Sequence, residues 1–396
     1  MAQGFDPVAA TAAYLSVLTP EQHLKAQHYT QGGHWLLLWG ALVGVGVAWL
    51  ILKSGVLVRL RDAFGGKTGP WRTTAAVVVV YSLFEAALTL PWTIYAQWWR
   101  ETSYGLTSQA FLGWFGEWGL NLLIELVLTT LLASLLYALV RRAPRTWWIW
   151  GGGVTTLAFL FFSVIAPVTI MPLFNDYTPA PPGPVRDTVV AMAEANGVPS
   201  DKIYVFNGSK QSNRYTANVA GLFGTARVAM SDTMFQQGAD IAEVRGVVGH
   251  EMGHFVLNHV VIGAVAQGLL ALVAFFLIDR LYPVVSRWAG ASGIGPLSDP
   301  AGLPAVIIIM AVLGLLGTPL NSSITRITEA QADSFSLERI NEPDGLAKAL
   351  VKTIAYRAAT PSRLEEVLFY DHPSVGSRVR KAMDWKAAHP KAAAPA

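Results

Sequence analysis

The chain has 396 residues, of which 53% are hydrophobic and only 14% are charged, and its mean hydropathy is +0.40. Soluble domains carry about 25% charged residues, so this composition excludes an ordinary soluble protein, and its hydrophobicity excludes a disordered one. A net charge of +3 is too small to indicate a nucleic-acid partner, and the absence of cysteine excludes disulfides, thiolate metal ligands and a cysteine nucleophile.

Apolar stretches dominate the first half of the chain. Only 17 of the 55 charged residues lie in the first 174 positions, and a membrane-crossing helix needs about 20 mostly apolar residues. Six stretches meet this requirement, four before a polar region and two after it. They are Trp35–Leu52, Thr73–Trp99, Trp118–Val140, Trp147–Pro172, Val260–Ile278 and Leu303–Leu320. We therefore predict a multi-pass protein of a bacterial plasma membrane, without a cleavable signal peptide.

Two carboxylates, Glu85 and Glu125, fall inside predicted spans. An ionised side chain that faces lipid costs at least ~2.5 kcal/mol, so each is expected to face protein, water or a partner. Either they line a polar interior, or each is a hydrogen-bonded structural group between helices.

The loops that flank the first four spans carry an orientation signal. Two of these loops are basic, with Arg59, Arg61, Lys67 and Arg72 in one and Arg141, Arg142 and Arg145 in the other. The positive-inside rule places such loops in the cytoplasm, which would leave the polar region outside.

The polar region reads as a small α/β unit. Val185–Gly197 has a helical pattern, and Ile203–Phe206 and Ala226–Met230 have strand patterns, with a loop or hairpin at Asn207–Thr225 between them. The predicted segments are 1–33 (N-terminal), 34–174 (four spans), 175–259 (α/β region), 260–321 (two spans), 322–383 (C-terminal catalytic segment) and 384–396 (flexible tail).

The sequence His250-Glu251-Met252-Gly253-His254 is an HExxH motif. Positions i and i+4 share one face of a helix, so both imidazoles can bind one Zn²⁺ while Glu251 accepts a proton from the attacking water. A helix is supported by Asp240 as its N-cap, with Glu243 at the capping-box position. His259 follows His254 by five residues, off the face that carries the ligands, and we expect it to be a helix-end or interfacial histidine without a metal role.

A zinc protease needs a third protein ligand, and Glu329 with Asp333 supplies a candidate just after the sixth span. The two carboxylates lie one helical turn apart, so Glu329 can bind the metal while Asp333 orients a ligand histidine. The alternative is a solvated helix face.

Further motifs accompany HExxH in the order typical of one family. They are Tyr104–Gln109, Pro172–Asn175, Tyr177–Pro179, Ser209-Lys210, Gly221, Arg227, Asp232-Thr233, and His372-Pro373 with Arg378. With these motifs the chain resembles the type I CAAX prenyl proteases, membrane-embedded zinc metallopeptidases of the gluzincin type, from about Tyr81 to Arg380.

The resemblance implies a mainly α polytopic protein, with about six transmembrane helices around a water-filled chamber and a small α/β zinc-protease region at its mouth. It further implies one zinc ion per chain, a cytoplasmic catalytic region and a set of site residues. The zinc ligands would be His250, His254 and Glu329, the base Glu251, the orienting carboxylate Asp333 and the substrate-facing histidine His372, with Arg378 in support.

The resemblance weakens where the family places a substrate-binding asparagine. That position holds Thr216 here, and Asn218 lies two residues on, on the same face of a strand. We expect Thr216, Asn218 and Arg227 to bind substrate, which would add as a strand alongside Ala226–Met230.

The predicted activity is hydrolysis of peptide or protein substrates within the membrane, including lipidated or membrane-inserted ones. Two alternatives remain. One is a quality-control zinc protease without prenyl specificity. The other is a non-catalytic metal-binding chamber or pseudoprotease, against which the presence of Glu251 argues.

Overall fold

The computed structural model describes residues 5–64, 69–235, 238 and 240–390. Helices account for most of them. In the N-terminal half these are α1 (Pro7–Leu15), α2 (Pro20–Ser54), α3 (Val56–Phe64), α4 (Pro70–Thr93), α5 (Arg100–Ser103), α6 (Phe111–Arg142) and α7 (Trp147–Thr169). A π-helical stretch, Ile94–Trp99, joins α4 to α5. The later helices are α8 (Pro184–Ala195), α9 (Ile241–Val256), α10 (His259–Trp288), α11 (Leu303–Phe335), α12 (Pro343–Lys352), α13 (Arg363–Phe369) and α14 (Val375–Ala388).

Within the described residues, six helical segments are long and apolar enough to cross a membrane. They are Pro20–Ser54, Pro70–Ser103, Phe111–Arg142, Trp147–Leu173, His259–Trp288 and Pro300–Ile340. Each contains one of the six predicted spans, which confirms their number and order. The helices are longer than predicted because the helical backbone continues past one or both ends of each apolar run.

Two predicted boundaries are corrected by such ends. The first span begins inside the predicted N-terminal segment, where Thr19 and Gln22 form a capping box and Pro20 occupies the first turn. The last helix, α14, continues to Ala388 and so covers the first five residues of the predicted tail. Residues 391–396 of that tail, and Lys67 of the first basic loop, lie outside the described residues.

A four-stranded sheet holds the polar region together. Its strands are β1 (Tyr177–Pro179), β2 (Ile203–Phe206), β3 (Ala217–Ala220) and β4 (Arg227–Ser231), in the order β1-β2-β4-β3. The β2–β4 pair is parallel and the other two pairs are antiparallel. The order makes β4 an inner strand and β3 an outer one.

Helices α8 and α9 cover one face of this sheet. Met230, Val244 and Met252 are fully buried in the shared core. The N-terminus of α9 is capped as predicted, since Asp240 Oδ1 accepts from the Ala242 amide at 2.9 Å. The Glu243 side chain departs from the predicted capping box, because its carboxylate binds Lys352 Nζ on α12. The sheet and these contacts fix the HExxH helix in place.

Two glycines let other helices approach α9 closely. A Cβ on Gly253 would lie 3.1 Å from Ala332 Cα on α11, and a Cβ on Gly246 would lie 2.5 Å from the Leu346 amide nitrogen on α12. Real Cβ atoms do not come as close to backbone atoms as 2.5 Å, so a side chain at Gly246 would push α9 and α12 apart. The 3.1 Å approach at Gly253 is tight, and a side chain there would require α11 to shift by a few tenths of an ångström. The close contact with α11 brings the sixth span alongside the two HExxH histidines.

Candidate metal centre and active site

Three side chains from two helices converge at the end of the sixth span. His250 and His254, one turn apart on α9, place their Nε2 atoms 3.2 Å from each other. Glu329, on α11, places Oε2 3.1 Å from His250 Nε2 and Oε1 3.3 Å from His254 Nε2. The structure thus brings together the three residues predicted as metal ligands, with one donor atom of each inside a 4.8 Å cluster.

The donor spacing fits a tetrahedral metal ion. Ligand atoms at about 2.0–2.1 Å from a tetrahedral zinc ion are about 3.3 Å apart, close to the separations seen here. Glu329 Oε2 is buried and makes no hydrogen bond to any described residue, although two imidazole nitrogens lie within 3.3 Å of it. Imidazole nitrogens and a carboxylate oxygen that converge in this way offer a cation the lone pairs it requires. The residues present therefore fit a divalent metal ion.

Asp333 and Arg378 lie on the side of the His250 ring that faces away from Glu329. Asp333 Oδ1 lies 3.0 Å from His250 Nδ1, the far side of the ring from Glu329. Arg378 donates to both Asp333 oxygens, at 2.8 and 2.7 Å, and both side chains are buried. This bidentate pair fixes the carboxylate, which in turn fixes the tautomer and the orientation of the imidazole. The geometry matches the supporting roles expected for both residues.

Electrostatics at this point favour positive charge. Burial alone would disfavour a protonated imidazole, but the Asp333 and Glu329 carboxylates outweigh it and raise the pKa of His250 to about 9. A bound cation would compete for the same negative charge, so the site attracts a metal for the reason that it attracts a proton.

Glu251 follows His250 on α9. Burial raises the pKa of its carboxyl above the ordinary value, while the nearby imidazoles act in the opposite direction. The Val219 amide on β3 donates to the same carboxylate. Glu251 is therefore a half-buried carboxyl that links the metal-ligand helix to the outer strand, a position compatible with a base that serves a peptide on that strand.

His372 approaches the cluster from the C-terminal segment. Its Nε2 lies 3.3 Å from Glu329 Oε2, and its Nδ1 is 2.8 Å from Asp371 Oδ1. Burial lowers the pKa of His372. His372 and Glu251 line one cavity of about 200 Å³ together with two of the three cluster residues, His250 and Glu329. The predicted substrate-facing position of His372 is compatible with this placement.

Comparison with known proteins shows the family to which the chain is related. The model of peptidase family M48 matches residues 179–386, and a model described as "CAAX prenyl protease N-terminal, five membrane helices" matches residues 8–176. The chain belongs to peptidase family M48. It is an integral, multi-pass membrane metalloprotease of the CAAX protease type.

Similar proteins cover nearly the whole of this M48 peptidase. An uncharacterized metalloprotease of Bacillus subtilis, YhfN, is 28% identical over 93% of this chain and 87% of its own. The CAAX prenyl protease 1 homolog of Homo sapiens is 25% identical, with coverages of 92% and 86%. The crystal structure of S. mikatae Ste24p has the same fold, with a TM-score of 0.75 at 20% identity over 96% of this chain and 97% of that chain.

The sheet corrects where a substrate strand can pair in this M48 peptidase. The stretch Ala226–Met230 was expected to receive it, but β4 already pairs with β2 on one edge and β3 on the other. The Ser231 amide donates to the Thr216 carbonyl and Ala217 lies opposite Met230, so Ala217 is in a non-hydrogen-bonded pair. Ala217 and Val219 therefore direct their backbone groups to the outer edge of β3, which no strand pairs in the described chain.

The three predicted substrate-binding side chains lie in different environments. Thr216 is exposed and lines the catalytic cavity. Asn218 lies on the same strand face, and its Oδ1 is buried without a hydrogen-bond partner in the described part of the chain. Arg227 is not brought to the cluster, because its guanidinium lies 3.8 Å from the ring centre of Tyr177 on β1 and has a buried structural contact there.

His259 lies at a helix end, as expected, and outside the ligand cluster, but it contacts one of the predicted ligands. Its Nδ1 lies 3.0 Å from His254 Nδ1, and its Nε2 lies 3.0 Å from Gln331 Oε1. This contact forms because α9 ends at Val256 and Asn258 adopts a left-handed conformation with φ of +56°. Asparagine is among the residues that adopt this conformation most readily, so Asn258 was the available signal.

The two intramembrane carboxylates face a cavity between α4 and α6. Glu85 and Glu125 line a volume of about 680 Å³ together with Glu117, Asn121 and Gln97. Of the two readings of these carboxylates, the structure supports the one in which they line a polar interior. Because Glu117 also bonds to Gln211 at 3.1 Å, the cavity wall continues into the polar region that holds the sheet.

Proposed function

We propose that this M48 peptidase is a zinc metalloendopeptidase that holds one Zn²⁺ through His250, His254 and Glu329. The observation that carries the proposal is the convergence of two imidazole nitrogens and an unprotonated, buried carboxylate oxygen at 3.1–3.3 Å. A donor set of two histidines and one glutamate, with room for water, is typical of catalytic zinc in proteases.

Zinc, when bound, supplies a Lewis acid that polarises the scissile carbonyl and lowers the pKa of water. Glu251 accepts the proton of the attacking water and passes it to the leaving amine, which a half-buried carboxyl of raised pKa can do in both directions. Asp333 holds His250 as a ligand. Asp371 takes the Nδ1 proton of the His372 ring, so His372 donates from Nε2 to the oxygen of the substrate carbonyl only in its protonated form, which the negative charge developing on that oxygen favours.

The substrate binds as an extended segment along the outer edge of β3. There the N–H and C=O groups of Ala217 and the C=O group of Val219 pair with its backbone, while the Val219 N–H donates to Glu251 at the same edge. Such binding recognises a backbone rather than a sequence, with Thr216 and Asn218 as side-chain contacts. The substrates we propose are peptides and proteins, including membrane-inserted and lipidated ones, at a bacterial plasma membrane, and no nucleic acid is among them.

A quality-control protease without prenyl specificity is a second candidate, and the intramembrane cavity favours it. Its wall carries the carboxylates of Glu85, Glu117 and Glu125. An isoprenyl chain gains nothing from contact with carboxylates, whereas a polar peptide does. Cleavage of one peptide with and without a farnesyl group separates the two candidates. A strict requirement for the farnesyl group contradicts this second candidate, and equal cleavage supports it.

The central test removes the base and keeps the ligands. Glu251→Gln should retain one zinc ion per chain, measured by elemental analysis of purified protein in detergent, and lose hydrolysis of a reporter peptide. The matched control is Glu194→Gln, the same change at an exposed position on α8, which should leave both unchanged. Full activity in Glu251→Gln, or no zinc in the unaltered protein, contradicts the proposal.

A further inference from the structure

A buried histidine outside the metal-ligand set contacts one of the ligands. His259, the first residue of α10, is only 7% exposed, and its ring meets that of His254 edge to face at a centroid distance of 5.0 Å. The left-handed Asn258 makes this contact possible by interrupting the helix between α9 and α10. In an unbroken helix the two side chains would lie about 140° apart around the axis.

The donor and acceptor of each hydrogen bond of His259 follow from the chemistry of its partners. Gln331 Oε1 can only accept, so the His259 Nε2 atom 3.0 Å away carries the proton. A neutral imidazole has one N–H group, which leaves His259 Nδ1 as an acceptor. The His254 Nδ1 atom, 3.0 Å from it, is then the donor.

This hydrogen bond also determines the protonation of His254 Nε2, the ring nitrogen that faces the proposed metal site. With the proton of His254 on Nδ1, its Nε2 carries a free lone pair, and this is the atom that lies 3.3 Å from Glu329 Oε1. The ring is thus held in the tautomer and the direction that a metal ligand needs. His250 is likewise held as an Nε2 ligand, because its Nδ1 faces Asp333. The two histidines therefore have different hydrogen-bond partners: a charged carboxylate for His250, and a neutral imidazole backed by an amide for His254.

We propose that His259, together with Gln331, is a positioning residue for the metal site, holding His254 as an Nε2 ligand through an imidazole-to-imidazole hydrogen bond. The proposal rests on the proposed metal function. Gln331 and Glu329 lie two residues apart on α11. The hydrogen bonds from Gln331 through His259 to His254 therefore also connect α11, which carries the third ligand, to α10 and α9. Loss of an orienting partner of this kind typically lowers metal affinity 10–100-fold.

The test measures zinc affinity of the full-length protein in detergent by competition with a chromophoric chelator. His259→Phe, which keeps the ring volume and removes the acceptor, should weaken zinc binding 10–100-fold. Gln331→Leu should weaken it less, because Gln331 is exposed and water can replace its oxygen. Gln331→Glu, which still accepts, should retain affinity. The matched control is His23→Phe, since His23 contacts Leu15 O near the N-terminus, and it should change nothing.

A double-mutant cycle separates positioning from a general effect on the fold. If Gln331 acts only through His259, then Gln331→Leu should have no effect on zinc affinity in a His259→Phe background. The visible spectrum of the cobalt-substituted protein, which reports ligand geometry, should change in His259→Phe and remain unchanged in the histidine control.

Failure of this inference is distinguishable from failure of the proposed function. Absence of zinc binding by the unaltered protein contradicts both. Zinc binding that is unaltered in His259→Phe, or additive effects of the two substitutions, contradicts the positioning role alone. Should His259→Phe not fold, the comparison of Gln331→Leu with Gln331→Glu decides the matter, because equal affinities would overturn the proposal.

Discussion

Replacement of Gly246 by alanine tests how tightly the HExxH helix is held. The added Cβ would lie 2.5 Å from the Leu346 amide nitrogen and 2.7 Å from its Cα. Ordinary contact distances are about 3.5 Å, so α9 and α12 must part by about 1 Å. The opposing atoms belong to the backbone, and no side-chain rotation relieves the contact.

The expected cost has two parts. Overpacking of this size lowers the free energy of unfolding by about 1–3 kcal/mol. Because Gly246 lies one turn before His250, and a misplacement of about 1 Å near a reacting centre can cost about 100-fold in rate, kcat/KM should fall by up to that factor. The assays are thermal unfolding in detergent, followed by helical circular dichroism, and hydrolysis of a reporter peptide.

The matched control is Gly44→Ala on α2, where a Cβ meets nothing within 4 Å. Alanine is the better helix former, so this variant should show no loss of stability or activity. An unchanged melting temperature and full activity in Gly246→Ala would refute the reasoning, since they would show that the two helices are not in the contact described.

Three further predictions follow from other parts of the structure. Arg378→Met should destabilise the protein by about 3–5 kcal/mol, because it removes the guanidinium that donates to both oxygens of the buried Asp333 carboxylate; a melting temperature equal to that of the unaltered protein would contradict this. A hydrogen bond from Lys348 lowers the pKa of Asp240, so the stability it adds to α9 is present above a pH of about 3.9 and is lost as the pH falls further. Thermal unfolding from pH 3 to 7 should therefore show an advantage over Asp240→Asn only at the higher pH values. The chain has no cysteine, so Asp201→Cys and Ser292→Cys can each be labelled with a membrane-impermeant thiol reagent; the six spans require labelling from opposite sides, and labelling of both from one side contradicts them.

Local patterns predicted the parts of the site that lie on one helix. The HExxH spacing and the Asp240 cap are properties of neighbouring residues, and both are present in α9. The ExxxD spacing likewise predicted that Glu329 and Asp333 share a face of α11. The six spans were predictable because a bilayer imposes a length and an apolar composition on each helix.

Features that depend on non-local pairing were not predictable. Strand order is one, since β2 pairs with β4 across the intervening β3, and no local pattern says which strand is outer. The chain reversal at Asn258 is another, because it turns a histidine of the wrong helical phase towards His254. Arg227 was assigned to substrate from its motif, whereas its partner is the ring of Tyr177.

The ligand set is divided along the chain, and this has a consequence for biosynthesis. The ribosome makes His250, Glu251 and His254 before the last two membrane helices, and Glu329, Asp333 and Arg378 only at or after the end of the second of these. A nascent chain that stalls after His254 and before Glu329 has the proposed base and two imidazole ligands. It lacks the third ligand, Glu329, and the Asp333 carboxylate that orients His250. With the proposed ligand set, proteolytic competence therefore arises only when the final helix has been made.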